Sequence, residues 1–273
     1  MRTDKLIIVR GGGDIATGTI YTLHRCGFSV LVLEAERPTA IRRQVSFSEA
    51  VYDGASLVEG MTCVFADSYE RAQEIMNNGY IAMMVDEKCK TLEKVRPWAL
   101  IDGILAKRNL GTNRAMAAKT IGLGPGFVAG EDVDLVIETM RGHNLGRIIE
   151  KGPAVKNTGV PGSIAGYAAE RVIHAGHDGV LFNIMHIGDI VKKGQTLAVI
   201  QSGSEEFPVE ATISGVLRGL IRSEFPVMKG LKIADIDPRA SELANCFTIS
   251  DKARCIGGSV LTALLYLERR DGV

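Results

Sequence analysis

The stretch KLIIVRGGGDIATGTIYTLHRCGFSVLVLEAE, residues 5–36, decides the fold of the first half of the chain. Leu6-Ile7-Ile8-Val9 is an unbroken apolar run that stops at Arg10, the pattern of a parallel strand covered on both faces. Gly11-Gly12-Gly13-Asp14-Ile15-Ala16 then fits G-x-G-x-x-A. In that pattern Gly11 makes the tight turn, Gly13 lets the backbone approach a phosphate, and Ala16 lets a helix lie close on the strand. Ala16, Ile20 and Leu23 recur on one helical face, Gly27 is placed to end the helix, and Val30-Leu31-Val32-Leu33 is a second strand with Glu34 directly after it. An acid there usually holds a ribose hydroxyl, and the intervening helix offers free N–H groups to an anion. The series predicts a nucleotide-binding turn made by Gly11, Gly12, Gly13, Asp14, Ala16 and Gly18, with Glu34 at the ribose. The alternative is that three glycines merely turn the chain.

The alternation continues. MTCVFA reads as a third strand, SYERAQEIMNNG as a helix closed by Gly79, YIAMMV as a fourth strand and WALIDG as a fifth. The expected architecture is α/β, a doubly wound, mostly parallel Rossmann-like sheet. Asp67, Asp86 and Asp102 each follow a strand, at the edge where open α/β sheets take ligands. Helix capping explains Asp67 equally well, and only Asp102 is kept as a weak candidate. Arg37, Arg42 and Arg43 in AERPTAIRRQVSF either pair with a further phosphate or form a solvated face.

Composition bounds the rest. A chain of 273 residues with 46% hydrophobic side chains has room for two domains. Its 32 basic and 32 acidic residues balance, so the long-range field that draws proteins to nucleic acid or anionic membrane is absent. MRTDKL has no apolar h-region, and no apolar run approaches the ~18 residues of a membrane span. A cytoplasmic protein with neither nucleic-acid nor membrane partner is expected. Cys26, Cys63, Cys89, Cys246 and Cys255 are scattered without Cys-x-x-Cys spacing, which reads as reduced thiols. His174, His177 and His186 lack the carboxylate or cysteine that would complete a metal set, so no metal is expected.

Beyond Ala106 a second glycine-rich loop, Gly122 to Gly130, precedes two apolar runs joined across Arg141-Gly142-His143-Asn144, a loop and then a hairpin. Glu138, Arg141, His143 and Arg147 cluster along it, and NTGVPGSIAGY, residues 157–167, adds a third glycine-rich turn before an expected helix. Backbone donors at Gly124 and Gly126 with Arg141 and Arg147 suit a phosphate-bearing cofactor; turns and a surface salt bridge are the plainer reading. His143 is the best acid/base candidate by residue type, with Glu138 beside it. GGSVLTALLYLERR, residues 257–270, reads as a C-terminal helix that caps either domain or lies at a homo-oligomer interface.

DGVLFNIMHIGDIVKKGQTLAVI, residues 178–200, aligns without gaps on SGVLRGLIRSEFPVMKGLKIADI, residues 214–236. Gly179/Gly215, Val180/Val216, Leu181/Leu217, Val191/Val227, Lys193/Lys229, Gly194/Gly230, Ala198/Ala234 and Ile200/Ile236 are identical. Each copy reads as strand, turn, short strand, Lys-Gly and strand, and two copies would close around one core. Gly188-Asp189-x-Val191-x-x-Gly194-Gln195-x-Leu197 resembles the biotinyl/lipoyl hybrid-barrel family. The resemblance puts Ser204 where those carriers have their modified lysine, and no lysine lies between Lys193 and Lys229. A scaffold or docking module is implied rather than a carrier.

Over nearly its whole length the chain resembles the accessory proteins of the selenium-dependent molybdenum hydroxylase system, through RGGGDIATGTIYTLHRCGF, RPTAIRRQVSFSEAVYDG, LIDGILAKRN, IGLGPGFVAGEDVDLVIETMRGHNLGRII and NTGVPGSIAGY. That resemblance implies a maturation factor with a molybdenum hydroxylase as client, handling its molybdopterin cofactor or the labile selenium placed on the metal, while the glycine turn by itself points to NAD(P) or another adenine nucleotide. A stand-alone NAD(P)-dependent oxidoreductase and a non-catalytic scaffold remain as alternatives. The expected division is a Rossmann-like domain over residues 1–108 and a C-terminal domain over 109–273. The latter holds a glycine-rich site region at 109–172, the barrel-like repeat at 178–237 and the helix at 257–270.

Overall fold

The computed structural model describes residues 5–159 and 162–271. The chain forms two compact units, one of Met1–Pro38, Ser46–Thr158 and Ile249–Val273, the other of Thr39–Val45 and Gly159–Thr248. The division expected at residues 108/109 falls inside the first unit. Strands beyond that point stay hydrogen-bonded to the N-terminal sheet, and a cut there would strip backbone partners from both pieces.

In the first unit the elements are β1 (Leu6–Arg10), α1 (Asp14–Arg25), β2 (Ser29–Glu34), a short α2 (Ala50–Asp53), β3 (Ala55–Val58), β4 (Met61–Phe65), α3 (Tyr69–Asn77), β5 (Ile81–Val85), β6 (Ala99–Asp102), β7 (Thr120–Leu123), β8 (Val128–Ala129), β9 (Leu135–Ile137), β10 (Ile148–Ile149) and β11 (Gly152–Pro153). One nine-stranded sheet runs β10-β9-β7-β6-β1-β2-β5-β4-β3. Its strands are parallel from β9 to β4, and antiparallel β10 and β3 close the two edges. The β3 strand was not read from the sequence. It joins β4 through Glu59 and Gly60, both at positive φ (47° and 81°), the geometry of a tight hairpin without the Asn-Gly signal.

The steps β1 to β2 and β4 to β5 run in opposite directions across the sheet, so right-handed crossovers set α1 and α3 on opposite faces. Ile8, Leu31, Leu33, Ala82 and Leu100 alternate onto the face that buries Ala72 and Ile75 of α3. The later strands bring no crossover helix; only 3-10 turns, Lys90–Glu93 and Arg114–Met116, lie between β5 and β7. Instead α4 (Asp251–Asp271) returns from the end of the chain and packs along α1. It starts earlier than the expected residue 257, leaving Gly257 and Gly258 inside it.

The second unit contains β12 (Val172–His174), β13 (Gly179–Asn183), β14 (Ile190–Val191), β15 (Thr196–Ser202), β16 (Glu205–Glu210), β17 (Gly215–Leu220), β18 (Phe225–Val227) and β19 (Lys232–Asp237). They form two four-stranded antiparallel sheets, β12-β19-β17-β14 and β16-β15-β13-β18. Exchanging the repeats turns one order into the other, and each copy lends its short strand to the other copy's sheet. The hydrogen bonds obey the same exchange. Gly194 N–H donates to Ala211 O and Gly230 N–H to Ala175 O, each at 2.8 Å. Gly188 N–H donates to Leu217 O and Glu224 N–H to Leu181 O, at 2.9 and 2.6 Å. Gly179 and Gly215 share φ near 155° and 158°, and a Cβ on either would run into a carbonyl oxygen, of Gln201 or of Asp237. The helix expected after the third glycine-rich turn is only a 3-10 turn, Ala169–Arg171; Val160 and Pro161 of that turn lie outside the described residues.

Candidate functional site

Strand order in the first unit reverses between β1 and β6. The chain leaves β1 towards β2 on one side, then crosses back to lay β6 on the other. The loops at that point diverge at the carboxyl edge and leave the crevice where α/β sheets take ligands. Both walls are brought together by glycine. A Cβ on Gly11, at φ +87°, would lie 3.1 Å from the Ile104 backbone, and one on Gly103 would lie 3.0 Å from Ala16 Cβ. Ala16 thus packs closely as the motif predicts, and its partner is the loop after β6.

Gly12 is already engaged. Its N–H donates to Glu34 Oε2 at 2.6 Å, and its carbonyl accepts from Ser48 N–H at 2.9 Å and Thr17 Oγ1 at 3.1 Å. The other Glu34 oxygen accepts Ala35 N–H at 2.8 Å. Burial pushes the Glu34 carboxyl above its ordinary range against these two N–H groups, and Glu87 adds to the rise. Gly13 is different: no atom lies within 4 Å of where its Cβ would stand. It is the N-cap of α1, with no side chain capping the helix, so the first-turn donors face an open surface. Beside Gly12, the Ser48 hydroxyl is buried with no hydrogen-bond partner among the described residues.

The other expected ligand contacts are placed elsewhere or already used. Gly18 faces α4, its missing side chain making room for Ala253, whose Cβ lies 2.7 Å from the position of a Gly18 Cβ. Asp102, 1% exposed, accepts from Arg10 at 3.2 Å, Thr112 Oγ1 at 2.6 Å and Ile104 N–H at 3.1 Å. Arg10 also reaches the carbonyl of Glu87 at 3.0 Å. This buried network ties the loop after β6 to β1. Arg42 and Arg43 belong to the second unit, where Arg42 donates to Asn245 O and Thr248 O and Arg43 to Leu220 O.

Gly124 and Gly126, at φ +78° and +116°, serve close packing. Their Cβ positions lie 2.5 Å from Thr139 Oγ1 and 2.7 Å from the Arg108 backbone. Glu138 is buried and accepts two backbone N–H groups, of Met140 at 2.7 Å and Val155 at 2.8 Å. Arg141 makes a two-point ion pair with Asp251, at 2.8 and 2.9 Å, and Arg147 reaches Asn144 Oδ1 at 3.2 Å. His143 is exposed on the turn. The hairpin thus forms as expected, and Glu138, Arg141 and Arg147 each engage other groups of the chain. A cavity of 460 Å³ lined by Leu92, Val95, Arg96, Asn113, Ala115 and Met116 lies at the opposite, amino edge of the sheet, where the chain enters β6 and β7.

Lys252 was missed in the sequence. It stands at the start of α4, where burial and the Arg141 charge push its ammonium pKa down while Asp14, Glu138 and Asp251 oppose the fall. A cation next to the first residue of α1 is created by packing alone, and a helix start misplaced by six residues hid it. Among the described residues no group of three His, Cys, Asp or Glu side chains is arranged to hold a metal ion, and no helix is long and apolar enough to cross a membrane.

This chain is similar to YqeB. The protein "Uncharacterized protein YqeB" of Escherichia coli (strain K12) is 47% identical over 263 residues, which is 96% of this chain and 48% of that protein. The chain therefore spans about half the length of the curated relative it matches. No family model matches. Solved structures with some likeness include the product-bound ectoine utilization protein EutE (DoeB) of Ruegeria pomeroyi, 12% identical at a TM-score of 0.29. Another is a succinylglutamate desuccinylase/aspartoacylase of Rhodobacter sphaeroides, 11% identical at 0.30. Each comparison covers 85% of this chain and 84% of the other. These scores carry no reaction over to this chain. The resemblance to selenium-dependent molybdenum hydroxylase accessory proteins is corrected by these findings: no family model matches, and the curated relative's name states no such role. The maturation function that rested on it falls with it, together with selenium and molybdopterin handling.

Proposed function

We propose that the first unit binds an adenine nucleotide, of the NAD(P) type or simpler, with its phosphates over Gly13 at the start of α1. The observation that carries this reading is the coincidence of the strand-order reversal with a glycine turn whose last member has open space above it. The residues present fit such a group. The uncapped first turn of α1 supplies N–H donors and the positive end of the helix dipole. Lys252 supplies a cation beside Asp14. Each Glu34 oxygen accepts one N–H, which leaves each a lone pair for a ribose hydroxyl. Gly12 cannot donate, so phosphate recognition falls on Gly13 and the residues after it.

Gly13→Val gives a clean test, because φ −64° suits any residue and nothing stands within 4 Å. Titration calorimetry with NAD, NADP and ADP is expected to show saturable binding to the wild type and at least about a tenfold loss in Gly13→Val at an unchanged melting temperature. Equal affinity in the two proteins sinks the reading. For the second unit we infer closure of its two sheets into a hybrid barrel without a carrier lysine. The exchange symmetry of the repeats supports it, as does the hairpin β15–β16, which turns through Gly203 and Ser204. A serine hydroxyl there cannot form the amide that a biotinyl or lipoyl group requires.

A further inference from the structure

The two sheets of the second unit are built from sister repeats, yet their outer faces differ in chemistry and in cover. On β13 and β15 the inward residues are Leu181, Ala198 and Ile200, all buried, so Val180, Phe182, Val199 and Gln201 point outward. The register of β16 on β15 adds Pro208 opposite Val199 and Glu206 opposite Gln201, and that of β18 on β13 adds Pro226 opposite Val180. Phe182 is 39% exposed, both prolines are exposed, and the two valines are half-buried. The sister positions are charged: Arg218 stands for Phe182, Asp235 for Val199 and Asp237 for Gln201. They are also covered. Residues 39–45 and the 3-10 turn Ala240–Phe247 lie over β17, with Leu220 N–H donating to Ile41 O at 2.8 Å and Ile41 close against Gly219. Asp235 and Asp237 are 7% and 1% exposed. The chain therefore covers its polar face and leaves the apolar one open, the reverse of what apolar burial by itself selects.

Carboxylates flank the open face. Glu205 and Glu206 stand on β16 at one edge. Glu224 stands at the other, just before β18, where its N–H donates to Leu181 O. All three are exposed, and none of their side chains has a hydrogen bond or ion pair among the described residues. Lys229 lies past the far end of β18, where its N–H donates to Asp178. This rim selects among occupants. It repels nucleic acid and anionic membrane, and a second copy docked face to face would set the same carboxylates against one another. Addition of a strand at either edge is opposed by Pro208 and Pro226 and by the three glutamates of β16. What remains is a segment that packs on the face through apolar side chains and meets the rim with cations. The cover that the chain supplies to the sister face has that make-up, an apolar Ile41 followed by Arg42 and Arg43.

We propose that the face around Phe182 docks a segment of another protein that presents an apolar centre with lysine or arginine at its ends. The glycine turn takes no part in it. The probe is a fluorescent peptide, Arg-Lys-Ile-Leu-Ile-Lys-Arg, titrated with the full chain and read by anisotropy beside its charge-reversed counterpart, Glu-Asp-Ile-Leu-Ile-Asp-Glu. The basic peptide is expected to bind saturably, at least about tenfold more tightly than the acidic one, and more weakly as salt rises. Phe182→Asp is expected to abolish binding at an unchanged melting temperature. Glu206→Lys/Glu224→Lys leaves the apolar centre intact and is expected to reverse the preference between the peptides, so it carries the test if the Asp variant folds poorly. No saturable binding of the basic peptide up to about 1 mM, equal affinity for the two peptides, or a preference that the double lysine variant leaves unchanged overturns the proposal. So does self-association in sedimentation velocity that Phe182→Asp dissolves, which assigns the face to a second copy of this chain.

Discussion

Gly257→Ala and Gly258→Ala place the same methyl group at neighbouring positions of one helix, pointing to different sides of it, and are expected to change stability in opposite directions. Both positions lie inside α4, and replacing glycine by alanine in a helix interior contributes up to about 1 kcal/mol of stabilisation. At Gly258 nothing lies within 4 Å of the new Cβ, so that gain stands alone. At Gly257 the Cβ would lie 2.5 Å from Gly18 O and 2.6 Å from Thr22 Oγ1, roughly 1 Å inside a comfortable contact. Neither atom can swing away, because Thr22 Oγ1 donates to Gly18 O at 2.8 Å and Gly18 itself has Ala253 against it. The helices must part, at the ~1–3 kcal/mol of an overpacked core. Since the propensity gain is common to both variants, the stability difference between them measures the crossing itself, about 1–3 kcal/mol in favour of Gly258→Ala. Urea unfolding followed through Trp98, the chain's single tryptophan and a member of the same unit, reads it directly. A difference below about 0.5 kcal/mol would show that α4 does not cross α1 at these glycines.

Two further outcomes follow from the glycine turn and its support. The Glu34 carboxyl has a raised native pKa, so the folded protein keeps a proton that the unfolded chain releases near its ordinary value of 4.5. Stability from this group is therefore lost as pH rises from about 4.5 through the native pKa, and Glu34→Gln should flatten that part of the stability profile; an unchanged slope refutes the assignment. Arg10→Met leaves Asp102 buried without its ion-pair partner and is expected to cost ~3–5 kcal/mol in urea unfolding, with Arg10→Met/Asp102→Leu recovering most of it; a single-variant loss below about 1 kcal/mol contradicts the buried network.

What the sequence determined by itself is local or periodic. The strand-glycine-helix-strand series at residues 6–34 appears in place, because an apolar run, a glycine turn and an amphipathic stripe each specify one conformation through near neighbours. The repeat was legible for the same reason: identical residues in both copies need the same backbone, and the matching bonds of Gly194 and Gly230 follow. The identity of the binding residues was not legible. Gly18, Asp102, Glu138 and Arg141 have the residue types of a ligand site, yet each is satisfied by a group distant in sequence: Ala253 for Gly18, Arg10 for Asp102, Val155 for Glu138 and Asp251 for Arg141. A polar side chain reads the same from the sequence whether its partner is a ligand or its own fold. Only tertiary structure spends or spares it, and it leaves Gly13 open and sets Lys252 beside α1 because those outcomes depend on which segments the packed chain brings together.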